Sequence, residues 1–140
     1  RIVAADITIA LQAGAFPGSP IGPACWCSMA CYDVDNIRVV GFDVVSNRPK
    51  VAAYRAPGAP ISAFGVESTI DMLAQELGMD PIELRLKNAA QKGTKTHYGP
   101  TFDRIGFIET LEAARNSAPI TAIQARMKAH NPKVTPPQVV

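Results

Sequence analysis

Residues Ile2 to Gln12 alternate, with Ile7, Ile9 and Leu11 on one side and Asp6, Thr8 and Gln12 on the other. That period of two predicts a half-buried strand. Gly14 to Pro23 then concentrates glycine and proline, which predicts a long loop, because such a run neither propagates a helix nor donates a continuous ladder. β character returns from Ile37 to Asn47, where Val40, Phe42 and Val44 share a face and Gly41 marks a bulge or a close backbone approach. Val51 to Tyr54 reads as the end of a further strand, and Arg55-Ala56-Pro57-Gly58-Ala59-Pro60 interrupts regular structure.

Beyond that break the period changes. Val66, Ile70, Leu73 and Leu77 recur at helical spacing from Ile61 to Leu77, and Gly78 supplies the stop. Asp80-Pro81-Ile82-Glu83 sets a cap, a first-turn proline and an acidic third residue, opening a second helix with Ile82, Leu86 and Ala89 inward. Asp103 is placed to cap a third helix through Ala114, with Phe107 and Leu111 on its apolar side, and a fourth is expected from about Pro119 to His130. The pattern therefore predicts an α+β fold: N-terminal β-strands before Tyr54, C-terminal helices after Pro60. The expected core comprises Ile7, Ile9, Val40, Phe42, Val66, Ile70, Leu73, Leu77, Leu86 and Leu111. Residues 1–130 form the expected domain fragment, and 131–140 a proline-interrupted tail.

Composition narrows the classes. Of 140 residues 47% are hydrophobic and 19% charged, which excludes a disordered chain. Fourteen basic residues against twelve acidic ones leave a net charge of +2 with no like-charge block, so nucleic acid is not an expected partner. No apolar run approaches the roughly 18–20 residues of a membrane span. Cys25, Cys27 and Cys31 are too few and too oddly spaced for a disulfide framework or a four-ligand zinc site, and read as buried, inert thiols in a cytoplasmic protein. His97 reads as a solvated loop residue. The chain opens on Arg1 rather than Met and is expected to be a fragment. No complete catalytic motif is present, and the specialised stretch is Tyr54 to Pro60, a rigid small-residue loop running into a helix N-terminus, suited to an anionic or oxo-rich group.

Several ordered motifs add a family. Tyr32-Asp33-Val34-Asp35-Asn36, then Ser46-Asn47, then Ala53-Tyr54-Arg55-Ala56-Pro57-Gly58-Ala59-Pro60, then Glu67, Asp71 and Ala74, then Glu76 to Asn88 resemble the molybdenum hydroxylases. This family includes the molybdopterin-binding part of xanthine dehydrogenases and aldehyde oxidoreductases. The resemblance implies a fragment of a subunit that carries a molybdopterin-type molybdenum cofactor and hydroxylates a heteroaromatic or aldehyde carbon of a small organic substrate, with water as oxygen source. It further implies iron–sulfur clusters and FAD on partner domains or subunits. Arg55 maps beside the molybdenum, with Ala56 and Gly58 toward the cofactor and Pro57 at a substrate-stacking place that is often aromatic in relatives. Ala56 stands where copper-holding relatives carry cysteine, which disfavours a Mo–Cu site. The family's catalytic glutamate has no match in these residues, so no catalytic residue is expected within the chain and the piece alone is expected to be inactive. A non-catalytic subunit-assembly domain on the same scaffold is the alternative.

Overall fold

The structure is a computed structural model that describes residues 1–130; the expected tail at 131–140 lies outside them. Its elements are β1 (Ala4–Gly14), α1 (Ile21–Cys27), β2 (Asn36–Val45), α2 (Ala59–Glu76), α3 (Pro81–Asn88), α4 (Phe107–Arg115) and α5 (Ala118–His130). Strands precede the long helices as the periods require, with two corrections. A helix, α1, stands between the strands and begins inside the segment expected to be a loop, which ran to Pro23, and the strands pair in parallel. Prolines permit this helix because Pro20 is its N-cap and Pro23 falls in the first turn, where a backbone N–H has no intrahelical acceptor anyway. Val51 to Tyr54 forms no strand; the Val51 N–H makes a single bond to the Ala13 carbonyl, 2.9 Å, and the chain then leaves the sheet.

The register pairs Ala5 with Ile37, Ile7 with Val39 and Ile9 with Gly41, so these residues share one face of the sheet. Helices α1 and α2 cover that face. Gly41 is a close approach: a Cβ there would lie 2.7 Å from the Cys25 Sγ and from Ile21. Val40, Phe42 and Val44 fall on the opposite face, and Phe42 is 53% exposed. The core consists of Met29, Tyr32, Val66, Ile70, Ala74 and Leu84, with Ile7, Ile37 and Phe107 packed against it. Of the expected core, Val66 and Ile70 are buried; Ile7, Ile9, Val40, Leu86 and Leu111 are half-buried; Phe42, Leu73 and Leu77 are exposed.

The second helix of the sequence reading is α3, opened as its cap requires. The Asp80 carboxylate accepts from the N–H groups of Ile82, 2.8 Å, and Glu83, 3.0 Å. Its inward row is Asp80, Leu84 and Asn88, with Ile82 and Leu86 at the margin. Asp103 caps nothing: α4 begins at Phe107 with Gly106 as its N-cap and without a side-chain cap. Tyr32 is the hinge of the packing, its ring edge-on to Phe107 with centroids 5.6 Å apart.

Candidate functional site

Because β1 and β2 are parallel, the loops that leave their carboxyl ends, 15–20 and 46–58, emerge at the same end of the sheet, and each runs into a helix N-terminus. This is the end at which open α/β units bind ligands. The loops are tied together. The Gly14 carbonyl accepts from Ser46 N–H at 2.9 Å, and Lys50 Nζ donates to the Pro17 carbonyl at 2.9 Å. The Asp43 carboxylate accepts from the N–H groups of Gly18, 2.6 Å, and Ser19, 3.1 Å. These bonds, led by the one from Gly18, hold the Asp43 carboxyl below its ordinary value.

On this platform sits the loop at 54–58. Tyr54 is 99% exposed, and Arg55 and Ala56 are exposed beside it. Among the described residues no ion pair engages Arg55, and α2 begins without a side-chain cap. Ala56 adopts φ 48°, the left-handed region that a residue with a Cβ enters at a cost. Gly58, φ 82°, faces inward: a Cβ there would stand 2.4 Å from the Pro20 carbonyl oxygen and 2.6 Å from the Ala24 nitrogen. Its missing side chain thus serves the seating of the loop on α1. Pro57 is half-buried. The four residues singled out in sequence stay contiguous, with Arg55 and Ala56 outward and Gly58 as the root. An unpaired guanidinium at an uncapped helix N-terminus fits an anionic, oxo- or phosphate-bearing group such as the molybdenum cofactor.

The other motif residues assemble elsewhere. The Tyr32 hydroxyl lies 2.8 and 2.9 Å from the two Glu67 carboxylate oxygens; Arg85 donates through Nε to Glu67 and through its terminal nitrogen to Asp71, each at 2.7 Å. Burial, and then the Glu67 hydrogen bond, push the Tyr32 phenol above its usual range. Asn88, 1% exposed, accepts from the Ile2 N–H at 2.7 Å and donates to the Leu84 carbonyl at 2.6 Å. Tyr32, Glu67, Asp71, Arg85 and Asn88 therefore fasten α2, α3 and the chain start together, from the buried Tyr32 and Asn88 out to the exposed Asp71. Sequence reasoning placed them in a family pattern but missed this network, since spacing along the chain carries no sign of which helices meet.

The three thiols are free. Cys25 is half-buried, while Cys27 and Cys31 are exposed, a correction to the buried expectation. Desolvation, then Glu67 and Cys27, raise the Cys31 thiol. Among the described residues no three His, Cys, Asp or Glu side chains gather as metal ligands. His97 is not solvated as expected. The loop carrying it folds back through Gly93–Phe102 and Thr96–Pro100 bonds, and its Nε2 lies 2.9 Å from the Cys25 carbonyl. A carbonyl only accepts, so Nε2 bears a hydrogen, while Nδ1 is buried without a hydrogen-bond partner among the described residues. No helix among the described residues is long and apolar enough to cross a membrane.

A strand–helix–strand unit that presents a basic loop at its carboxyl end defines a class of protein: a ligand-binding α/β domain or a part of one. Residues 1–89 match the molybdopterin cofactor-binding domain, and the chain belongs to that family. It is 42% identical over 91 residues to the nicotinate dehydrogenase large molybdopterin subunit of Eubacterium barkeri, covering 64% of this chain and 21% of that protein. It is 50% identical over 64 residues to the aldehyde oxidoreductase of Megalodesulfovibrio gigas, covering 46% of this chain and 7% of that one. Among solved structures it resembles the aldehyde oxidoreductase from Desulfovibrio gigas, with a TM-score of 0.73 and 28% identity over 89% of this chain and 14% of that chain. The chain thus spans about a fifth or less of the relatives it matches.

Proposed function

We propose that the chain is a segment of the molybdenum-cofactor subunit of a xanthine dehydrogenase- or aldehyde oxidase-like hydroxylase, with Arg55 and Ala56 facing the cofactor. The observation that carries this reading is the unpaired, exposed Arg55 guanidinium at the uncapped start of α2, on a loop whose root at Gly58 is wedged against α1. On this reading Arg55 lies beside the molybdenum and orients an oxo-rich group and the substrate electrostatically. Pro57 offers the substrate an apolar but not an aromatic surface. The cofactor, when bound, supplies oxidative hydroxylation with oxygen drawn from water. Iron–sulfur and FAD-bearing subunits or domains take the electrons onward, and the rest of the molybdenum subunit completes the site. The matches to a nicotinate dehydrogenase subunit and an aldehyde oxidoreductase support a small heteroaromatic or aldehyde substrate. Three free thiols support a reducing, cytoplasmic setting.

The test is Arg55→Lys in the parent polypeptide. Turnover should fall by about 100-fold or more, because an ammonium cannot reproduce the guanidinium's planar donor fork. Molybdenum content and the thermal melt should be unchanged. Wild-type turnover in that variant would favour the assembly reading, which the exposed apolar side chains of Phe42, Leu73 and Leu77 support.

A further inference from the structure

The helix-covered row of β2 runs through Ile37, Val39 and Gly41 and then ends in a carboxylate, Asp43. What crosses the sheet there is the backbone turn ahead of α1. The Asp43 oxygens accept from the N–H groups of Gly18, 2.6 Å, and Ser19, 3.1 Å, while Lys50 Nζ donates to the carbonyl just before them, at Pro17, 2.9 Å. Two opposite charges thus grip one stretch of main chain, the anion by its donors and the cation by its acceptor. Hydrogen bonds to charged groups are the stronger kind. Among the described residues neither Asp43 nor Lys50 makes an ion pair, so each directs its charge to the turn.

That turn is the seat of the Arg55 loop. Pro20, the next residue along, is the N-cap of α1, and its carbonyl accepts from the Ala24 N–H at 3.1 Å. The same two groups, the Pro20 oxygen and the Ala24 nitrogen, are what a Gly58 Cβ would meet. Gly58 in turn opens α2, its carbonyl accepting from the Ser62 N–H at 3.1 Å, and Arg55 stands three residues before it. We infer that Asp43 is a positioning residue: it fixes the turn at 17–20, the turn fixes the seat of Gly58, and the seat fixes where Arg55 stands. The contact at Gly58 has no slack, because backbone meets backbone where a side chain would be, so a displaced turn carries the loop with it. On the reading that Arg55 faces the cofactor, Asp43 acts on the reaction without touching it, through the placement of a guanidinium on the neighbouring loop.

The test is Asp43→Val in the parent polypeptide. Valine suits an exposed strand position and keeps the ladder, but it accepts nothing. Amide hydrogen exchange should quicken by at least about tenfold both in 15–20 and in 54–62, where the Ala59 and Ser62 N–H groups are bonded to Ala56 and Gly58, while the β1–β2 ladder keeps its protection. Turnover should fall by about tenfold or more with KM little changed. Asp43→Glu, which retains the acceptors, should recover most of that loss. In the Arg55→Lys background Asp43→Val should cost nothing further, because it acts only through that loop. Should Asp43→Val fail to fold, Lys50→Met removes the other half of the grip and decides by the same measurements. The inference is overturned by exchange that stays slow at 54–62, by losses that add in the double variant, or by unchanged turnover where Arg55→Lys alone costs its hundredfold. Wild-type turnover in Arg55→Lys would instead strike the cofactor reading, and exchange at 54–62 would then decide by itself whether Asp43 positions the loop.

Discussion

Two glycines on either side of the α2 start show how differently the same residue type is used. Gly58 has a left-handed φ and backbone atoms where a Cβ would go; Gly65 lies in the helix interior with open space around it. Gly58→Ala should therefore destabilise the chain by more than about 2 kcal/mol, adding strain to a clash that only backbone movement relieves. Gly65→Ala should stabilise it by up to about 1 kcal/mol through helix propensity alone. Paired thermal melts check both. At Pro57 the readout is selectivity. Pro57→Phe in the parent polypeptide should shift preference toward flat heteroaromatic substrates by about 0.5–1.5 kcal/mol in kcat/KM, as aromatic stacking allows. The site loop itself was legible in sequence because glycine and proline carry their geometry with them. The inward turn of Gly58 was not, because it depends on Pro20 and Ala24, about forty residues earlier.

Among the elements, α3 was the most legible, since Asp80 acts on N–H groups two and three residues away and needs nothing from the tertiary structure. Asp80→Ala should cost about 1 kcal/mol in chemical denaturation. Its inward face was less legible: two apolar rows run along eight residues, and the network that engages Arg85 selects the one through Leu84 and Asn88. The same ambiguity affected β2, where Ile37 and Val39 on one face compete with Val40, Phe42 and Val44 on the other; only the arrival of α1 at Gly41 decides. Helix α1 was hidden because composition penalises proline everywhere, whereas a first helical turn accepts it. The contact that joins α2 to the segment after α1 has a pH signature. Tyr32 titrates above its ordinary 10.0 when folded, so the stability it adds is complete below pH 10 and lost as the pH rises beyond it. The melting temperature should drop in that alkaline range, and Tyr32→Phe should flatten the drop while lowering the plateau.

For the molecule as a whole, one contribution to stability in acid lies at the end of the sheet that carries the loops. Asp43 titrates below its ordinary 3.8 when folded, so its contribution is complete above that pH and disappears as the pH falls through the lower folded value. Asp43→Asn should remove part of the acid-induced loss seen in melts between pH 5 and 2, and free the 18–19 loop from β2. The strand-end loops stay tied to one another through Lys50 and Gly14, and on the proposed reading they form only one side of a cofactor site. The isolated chain should accordingly retain no stoichiometric molybdenum after purification, measured by elemental analysis, because a site assembled from several segments loses its hold when most are missing.

Asn88 closes a loop nearly as long as the domain, holding the Ile2 N–H while its own carbonyl accepts from Asp33 N–H at 2.8 Å. The first strand is thus secured by a residue 86 positions further along the chain. A contact of such sequence separation is reached only after the intervening chain has been ordered. During translation β1 gains its ladder to β2 first and this latch only once α3 has left the ribosome. For that interval the start of the strand is held from the β2 side alone, and the arrival of one asparagine ends it.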